Sequence, residues 1–222
     1  MSKKREAWRP KDRPNVAYEP WQQLVLTRIE ADTKVRLAPS KHRLAHSLSV
    51  ADEAEHLALV YGVDPYLARL AGYLHDWDKV VPKAELIERA RRFGIDLGAP
   101  LEQVEPLLHG MVAARELPDR YPHIPSEVWH AIACHTSAAE DMGPLDMVLF
   151  VADGIEPLRR SSDGLDRTRS LVGEATLSDL FWCAFVGGIV YVLEGGRFLL
   201  PRTIDTYNTI AAERAARCKT KE

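Results

Sequence analysis

Residues 40–82 read SKHRLAHSLSVADEAEHLALVYGVDPYLARLAGYLHDWDKVVP, and their pattern decides the fold. Ser40 is a helix-capping residue, because its hydroxyl can accept from an orphan amide of the first turn. Gly62 is a helix stop, because it enters the left-handed conformation that ends a helix without steric cost. Between them His46, Val50, Ala54, Leu57 and Tyr61 fall on one stripe at the helical period. A helix here therefore turns His46 inward. His42 and His56 fall on the opposite side with Asp52 and Glu53 and are expected to face water. Asp64-Pro65 then supplies a cap and a proline at the first helical position. Leu67, Leu70, Ala71, Leu74 and His75 form the inward stripe of the helix that follows. Helical neighbours point about 100° apart, so His75 and Asp76 can serve one centre only where a helix ends. Residues 77–82, WDKVVP, supply that end.

The same signals continue outward. Trp21 to Lys34 reads as a first helix, and Pro82 restarts the chain into KAELIERARRFG, closed by Gly94. A helix is expected around Leu107–Glu116, a proline-rich loop over LPDRYPHIP (117–125), and a Ser126-capped helix over EVWHAIACHT. Gly143-Pro144 opens LDMVLFVADGIEPLRR, and later helices cover roughly Ser178–Glu194 and Ile204–Ala216. No apolar–polar alternation is sustained, so no sheet is expected. The predicted fold is all-α: one helical bundle over 39–216, an N-terminal extension at 1–38 and a C-terminal tail at 217–222.

With 46% hydrophobic and 27% charged residues in 222, the chain has enough apolar surface to build a core. Lys and Arg number 29 against 32 Asp and Glu, a net charge of −3, which argues against dedicated nucleic-acid binding. The one basic run, Lys3 to Arg13, is diluted by Glu6 and Asp12 and reads as a solvated tail. Cys134, Cys183 and Cys218 are odd in number and form no C-x-x-C, which fits a reducing cytoplasm. No apolar stretch follows the basic start, so no signal peptide is expected. The longest uncharged run, LFWCAFVGGIVYVL at 180–193, falls short of the ~20 residues that span a bilayer. It reads as a buried core helix, with no membrane partner.

Several polar residues sit on apolar faces. Val128, Ile132 and His135 share one face of their helix, and Asp153 closes the apolar run Met147–Ala152. A carboxylate at the end of such a run lies near the interior, where it costs several kcal/mol unless a cation or metal answers it. Singly, such a residue is more often a core group bonded to a carbonyl than a ligand. Together, His46, His75, Asp76, His109, His135 and Asp153 are imidazoles and carboxylates on separate helices, and helical bundles build metal sites from such residues projected inward. The absence of thiolate favours iron, manganese or similar ions over a structural zinc.

The order H … HD … D resembles the HD-domain superfamily of metal-dependent phosphohydrolases. The flanks are similar to its YqeK family, which cleaves diadenosine tetraphosphate symmetrically into two ADP. The segments that carry the resemblance are HSLSVADEA, AGYLHDWDK, LLHG, AIACHT, LDMVLFVADGIEPLRR and GRFLLPRTIDTYN, spread over residues 40–212. The resemblance implies that His46, His75, Asp76 and Asp153 are the core ligands. It implies that His109 and His135 hold a second ion or contact phosphate, with Asp76 bridging if two ions bind. The implied cofactor is iron, as one or two ions, with manganese or cobalt as alternatives. The implied catalytic residues are Asp76, Lys79 and His109, and the implied reaction is attack by a metal-bound hydroxide, with His109 or His135 alternatively protonating the leaving oxygen. Implied substrate contacts are Lys79, His109, His135, Thr136, Asp153, Arg159 and the loop Gly196, Arg197, Phe198, Leu199, Leu200 and Pro201.

The implied partner is a small dinucleoside polyphosphate, and a homodimer is compatible with the resemblance. Two departures stand out. Asp78 occupies a position that is usually small in the family, and at i+2 from Asp76 it is expected to point away into solvent. The first forty or so residues have no counterpart in the family. Other chemistries lack their residues, since no P-loop, GxSxG or HExxH occurs. An HD hydrolase of another nucleotide, or a non-catalytic HD nucleotide-binding module, remains as the alternative.

Overall fold

The structure, a computed structural model, describes residues 16–219. The basic run at 3–13 and the side chain of Cys218 lie outside the described residues. The chain folds as α1 (Pro20–Arg36), α2 (Lys41–Tyr61), α3 (Pro65–Leu74), α4 (Lys83–Arg92), α5 (Leu101–Val104), a 3-10 turn (Glu105–Leu107), α6 (Leu108–Arg120), α7 (Ser126–Cys134), α8 (Pro144–Ile155), α9 (Asp163–Ser170), α10 (Leu177–Glu194) and α11 (Pro201–Lys219). No strand occurs among the described residues. The all-α expectation holds.

The caps act as their chemistry requires. Ser40 Oγ accepts from the Arg43 amide, Gly62 ends α2 with φ at 71°, and Asp64 Oδ1 accepts from the Tyr66 and Leu67 amides. Helices α2, α3, α7 and α8 pack on one another, and the side chains between them, Leu57, Leu70, Leu74, Ile132, Leu149 and Ile155 among them, are fully buried. The apolar stripes drive this association, each such side chain contributing about 1.5–3 kcal/mol on burial. Helix α1 adds Leu26 and Ile29 to the same core. A smaller core of Leu86, Ile87, Leu108, Val112 and Leu200 lies under α4.

Several expectations are corrected. Helix α10 is not a buried core helix. Its first half packs most closely, with Phe181 and Phe185 stacked and both against Phe150 of α8, while in its second half Ile189 touches the core and Val190, Tyr191 and Leu193 are exposed. By length and composition it is the one helix among the described residues apolar enough to cross a membrane. Glu53 is fully buried rather than solvated, and His56 is half-buried. Helix α6 runs through Pro118 to Arg120 and shortens the expected loop, at the loss of the one ladder bond that Pro118 cannot donate. Pro125, not Ser126, precedes α7. Helices α5 and α9 are too short to show a period in sequence.

The largest correction concerns Asp78. It is fully buried, with Oδ1 2.6 Å from Arg36 Nη2. The i+2 argument assumed a continuing helix. Residues 75–81 instead form tight turns in which Trp77, Lys79 and Val81 donate to the carbonyls of Leu74, Asp76 and Asp78.

Candidate metal centre

Five elements bring the six expected ligands together. Helix α2 carries His46, the turn after α3 carries His75 and Asp76, and α6 carries His109. His135 caps the C-terminus of α7, and α8 carries Asp153. His46 Nε2 lies 3.0 Å from Asp153 Oδ1 and 3.3 Å from His75 Nε2. His109 Nε2 lies 3.0 Å from Asp76 Oδ1 and 3.1 Å from His135 Nε2. Asp76 Oδ2 is 3.8 Å from His46 Nε2, so Asp76 stands between the two histidine pairs. Ending α3 at Leu74 lets the adjacent His75 and Asp76 face one centre.

The outer nitrogens explain the orientation. His46 Nδ1 donates to Glu156 Oε1 at 3.1 Å, His75 Nδ1 to the Gly72 carbonyl at 2.8 Å, His109 Nδ1 to the Pro106 carbonyl at 3.0 Å and His135 Nδ1 to the Ile132 carbonyl at 2.6 Å. With Nδ1 holding the proton, His75, His109 and His135 present a bare Nε2 lone pair inward, and His46 does so once its second proton leaves, the arrangement that metal-ligating histidines adopt. The lone pairs of His109 and His135, facing each other at 3.1 Å, repel unless a cation lies between them. Ligand atoms of His46, His75 and Asp153, and of His75, Asp76 and His135, lie within 4.8 Å of one another. These residues fit a divalent ion.

The protonation states are set by burial and neighbours. Burial pushes His109 and His135 down to about 4 and lowers His75 as well, so all three are neutral, as ligands must be. Burial also opposes charge on His46, but the hydrogen bonds it donates to Asp153 and Glu156 override it and raise His46 to about 9. Without an ion, the His46 proton stabilises the fold fully below its ordinary pKa near 6.5, and this contribution is lost as pH rises through about 9. An ion has to displace that proton. Metal affinity is therefore expected to rise about tenfold per pH unit between pH 7 and 8.5, with one proton released per ion. Chelator competition at several pH values checks the slope, and a flat profile removes His46 from the ligand set.

Three cations rim the centre. Arg43 Nη1 is 3.1 Å from Asp76 Oδ2 and Arg159 Nη2 is 2.6 Å from Asp153 Oδ1. Lys79 Nζ is 3.3 Å from His109 Nδ1 and donates to the Pro106 carbonyl. Thr136 donates to the Leu107 carbonyl nearby. The loop 196–201 is tied to this side of the molecule in two ways. Leu200 is buried in the smaller core with Leu108, and Thr203 donates to the Ser137 carbonyl. Arg197 lies exposed over the Tyr191 ring.

Sequence reasoning missed Arg43, Glu156 and Arg169. Arg43 sits three residues before His46 and so shares its helix face, a signal that was available. Arg169 donates to the carbonyls of Ile155 and Glu156 from α9, a helix that showed no periodicity.

An all-helical bundle that converges imidazoles and carboxylates, each oriented from behind and rimmed by cations, defines a metal-dependent hydrolase class. Known proteins narrow it. The HD domain family matches residues 43–158. The symmetrical bis(5'-nucleosyl)-tetraphosphatase of Staphylococcus aureus is 31% identical over 78% of this chain and 90% of its own, and the protein of that name from Bacillus subtilis is 29% identical over 84% and 99%. A solved HD superfamily hydrolase from Clostridium acetobutylicum, described as involved in NAD metabolism, superposes with a TM-score of 0.75 at 30% identity, covering 84% of this chain and 97% of its own. The chain belongs to the HD-domain hydrolases, in the YqeK-like group whose curated members are named symmetrical bis(5'-nucleosyl)-tetraphosphatases.

Proposed function

We propose that this protein hydrolyses diadenosine tetraphosphate symmetrically into two ADP, with one or two iron ions held by His46, His75, Asp76, His109, His135 and Asp153. The observation that carries the reading is the convergence of four inward Nε2 atoms and two carboxylates beneath three cations. The donor set of imidazole and carboxylate without thiolate supports iron, with manganese or cobalt able to take its place. A divalent ion at such a site acts as a Lewis acid toward phosphate oxygen and lowers the pKa of bound water to about 7.

The chain's own residues supply positioning and charge. Phosphoryl transfer needs little else from a protein. Arg43, Lys79 and Arg159, which rim the centre, would neutralise the anionic tetraphosphate and stabilise charge on the oxygens around the attacked phosphorus. Water adds to one of the two central phosphorus atoms, the bond to the oxygen bridging the two central phosphates breaks, and each half leaves as ADP. His109 and His135 are neutral near pH 7, and carbonyls hold their Nδ1 protons. This supports ligation over proton donation to the leaving oxygen. Thr136, Arg159 and the 196–201 loop are assigned to the nucleotide side of the site. The free thiols Cys134 and Cys183 support a cytoplasmic setting.

The test is incubation of the iron-loaded protein with diadenosine tetraphosphate and chromatography of the products. Two ADP per substrate, lost on chelation and restored by iron, is the expected result. ATP plus AMP would overturn the symmetric reading, and nucleotide binding without turnover would leave the non-catalytic module.

A further inference from the structure

The turn that carries His75 and Asp76 is gripped from behind by α1. Arg36, the last residue of that helix, donates from Nε to the Trp77 carbonyl at 2.9 Å and from Nη2 to Asp78 Oδ1 at 2.6 Å. One planar guanidinium thus fixes the two residues that directly follow Asp76, and it lies 5.8 Å from the Trp77 ring centroid. Arg89 Nη1 is 3.8 Å from the same Asp78 oxygen, and Asp78 Oδ2 has no hydrogen-bond partner among the described residues. Further back on α1, Thr33 donates to the Tyr73 carbonyl, and Asp32 accepts from Tyr121, whose ring meets Trp77 edge-on.

The turn needs this support. Its own hydrogen bonds are of the short-range, three-residue kind, whose geometry is poorer than that of an α-helix. It nonetheless has to hold two ligands whose donor atoms must be placed within a few tenths of an ångström. A buried ion pair adds little net stability, and its best-attested use is to fix one arrangement among several. We infer that Arg36 and Asp78 are positioning residues for the metal centre. The fork from α1 locks the HD turn so that Asp76 faces His109 and Arg43 while His75 faces His46. Helix α1 lies before the residues matched by the HD family, yet it belongs to the catalytic unit. The inference rests on the metal-centre reading above, and it is independent of which nucleotide is cleaved.

Arg36→Lys in the full-length chain tests it. The substitution keeps a cation opposite Asp78 but replaces a two-pronged fork with a single ammonium. Metal affinity by chelator competition is expected to fall about 10–100-fold, with a parallel fall in kcat and KM within about twofold of the parent. Leu26→Ala is the control, since it removes a buried side chain from the same helix without touching the turn. It is expected to lower Tm and leave metal affinity unchanged. The double variant Arg36→Met/Asp78→Leu leaves no unpaired buried charge, and it is expected to lose about as much affinity as Arg36→Lys. Parental metal affinity in Arg36→Lys overturns the inference, and so does a loss in Leu26→Ala that tracks its Tm. If the parent binds iron but cleaves no diadenosine tetraphosphate, the substrate reading fails while the chelator comparison still decides this one.

Discussion

Asp76→Ala is expected to abolish turnover, by about 10³-fold or more in kcat, and to strip the protein of metal while leaving it folded. Asp76 is the residue on which both halves of the centre depend. One oxygen lies 3.0 Å from His109 Nε2 and the other 3.1 Å from Arg43 Nη1 and 3.8 Å from His46 Nε2. Burial opposes its charge, but His75 and His109 outweigh burial and hold the carboxyl well below the usual carboxylate range. It is therefore a permanent anion among the four imidazoles. Removing it takes away the negative charge that would hold a divalent ion beside these histidines. The fold survives because Arg43, the cation left without its partner, is about one-third exposed and water can solvate it. Asp76→Asn separates shape from charge. It keeps one acceptor oxygen, and its turnover is expected to fall nearly as far. Metal content per chain and turnover, read beside the far-ultraviolet circular dichroism spectrum, check both variants. A folded Asp76→Ala protein that retains its metal and a tenth of its turnover would remove Asp76 from the centre.

What the sequence made legible, and what it hid, divides by range. Ser40, Gly62 and the Asp64-Pro65 pair act within one or two turns, and each is found where its chemistry predicts. His46 points inward because its stripe is the core stripe of α2. His75 and Asp76 share one centre because the helix stops beneath them, a consequence of local geometry alone. The convergence of His109, His135 and Asp153 was only an expectation in sequence, since nothing local says that three helices meet. Asp78 was misread for the same reason. The groups that answer its charge, Arg36 and Arg89, come from α1 and α4, and a rule about neighbours at i+2 cannot see them. Glu156 was quoted within a motif but given no task, because its role is to hold His46, a residue 110 positions earlier. Composition failed for α10, where an uncharged run suggested burial. Its second half is as apolar as its first, yet Val190, Tyr191 and Leu193 remain at the surface, because composition does not say which elements come to pack against a helix.

Gly110→Ala carries the second large effect, and two forces of opposite sign compete in it. In an exposed helix the change would stabilise by about 1 kcal/mol, because alanine loses less chain entropy than glycine. Gly110 is buried where α6 meets α7, one residue after His109. A Cβ there would stand 2.5 Å from the Ile132 carbonyl oxygen and 2.6 and 2.8 Å from Cε1 and Nδ1 of His135. Neither neighbour can give way cheaply. The carbonyl is backbone inside α7, and it accepts the 2.6 Å hydrogen bond from His135 Nδ1 that aims the other nitrogen at the centre. The methyl group has to push α6 away from α7 or break that bond, and overpacking of this kind costs about 1–3 kcal/mol. The contact outweighs propensity, so Tm is expected to fall by about 2–10 °C. Turnover is expected to fall further than stability implies, by about 10²-fold, because either way of relieving the clash moves an imidazole by the order of an ångström. A thermal melt and a turnover measurement on the same preparation separate the two. A raised Tm with parental turnover would show that α6 and α7 can part without disturbing His135, and the close approach at Gly110 would then have no bearing on the centre.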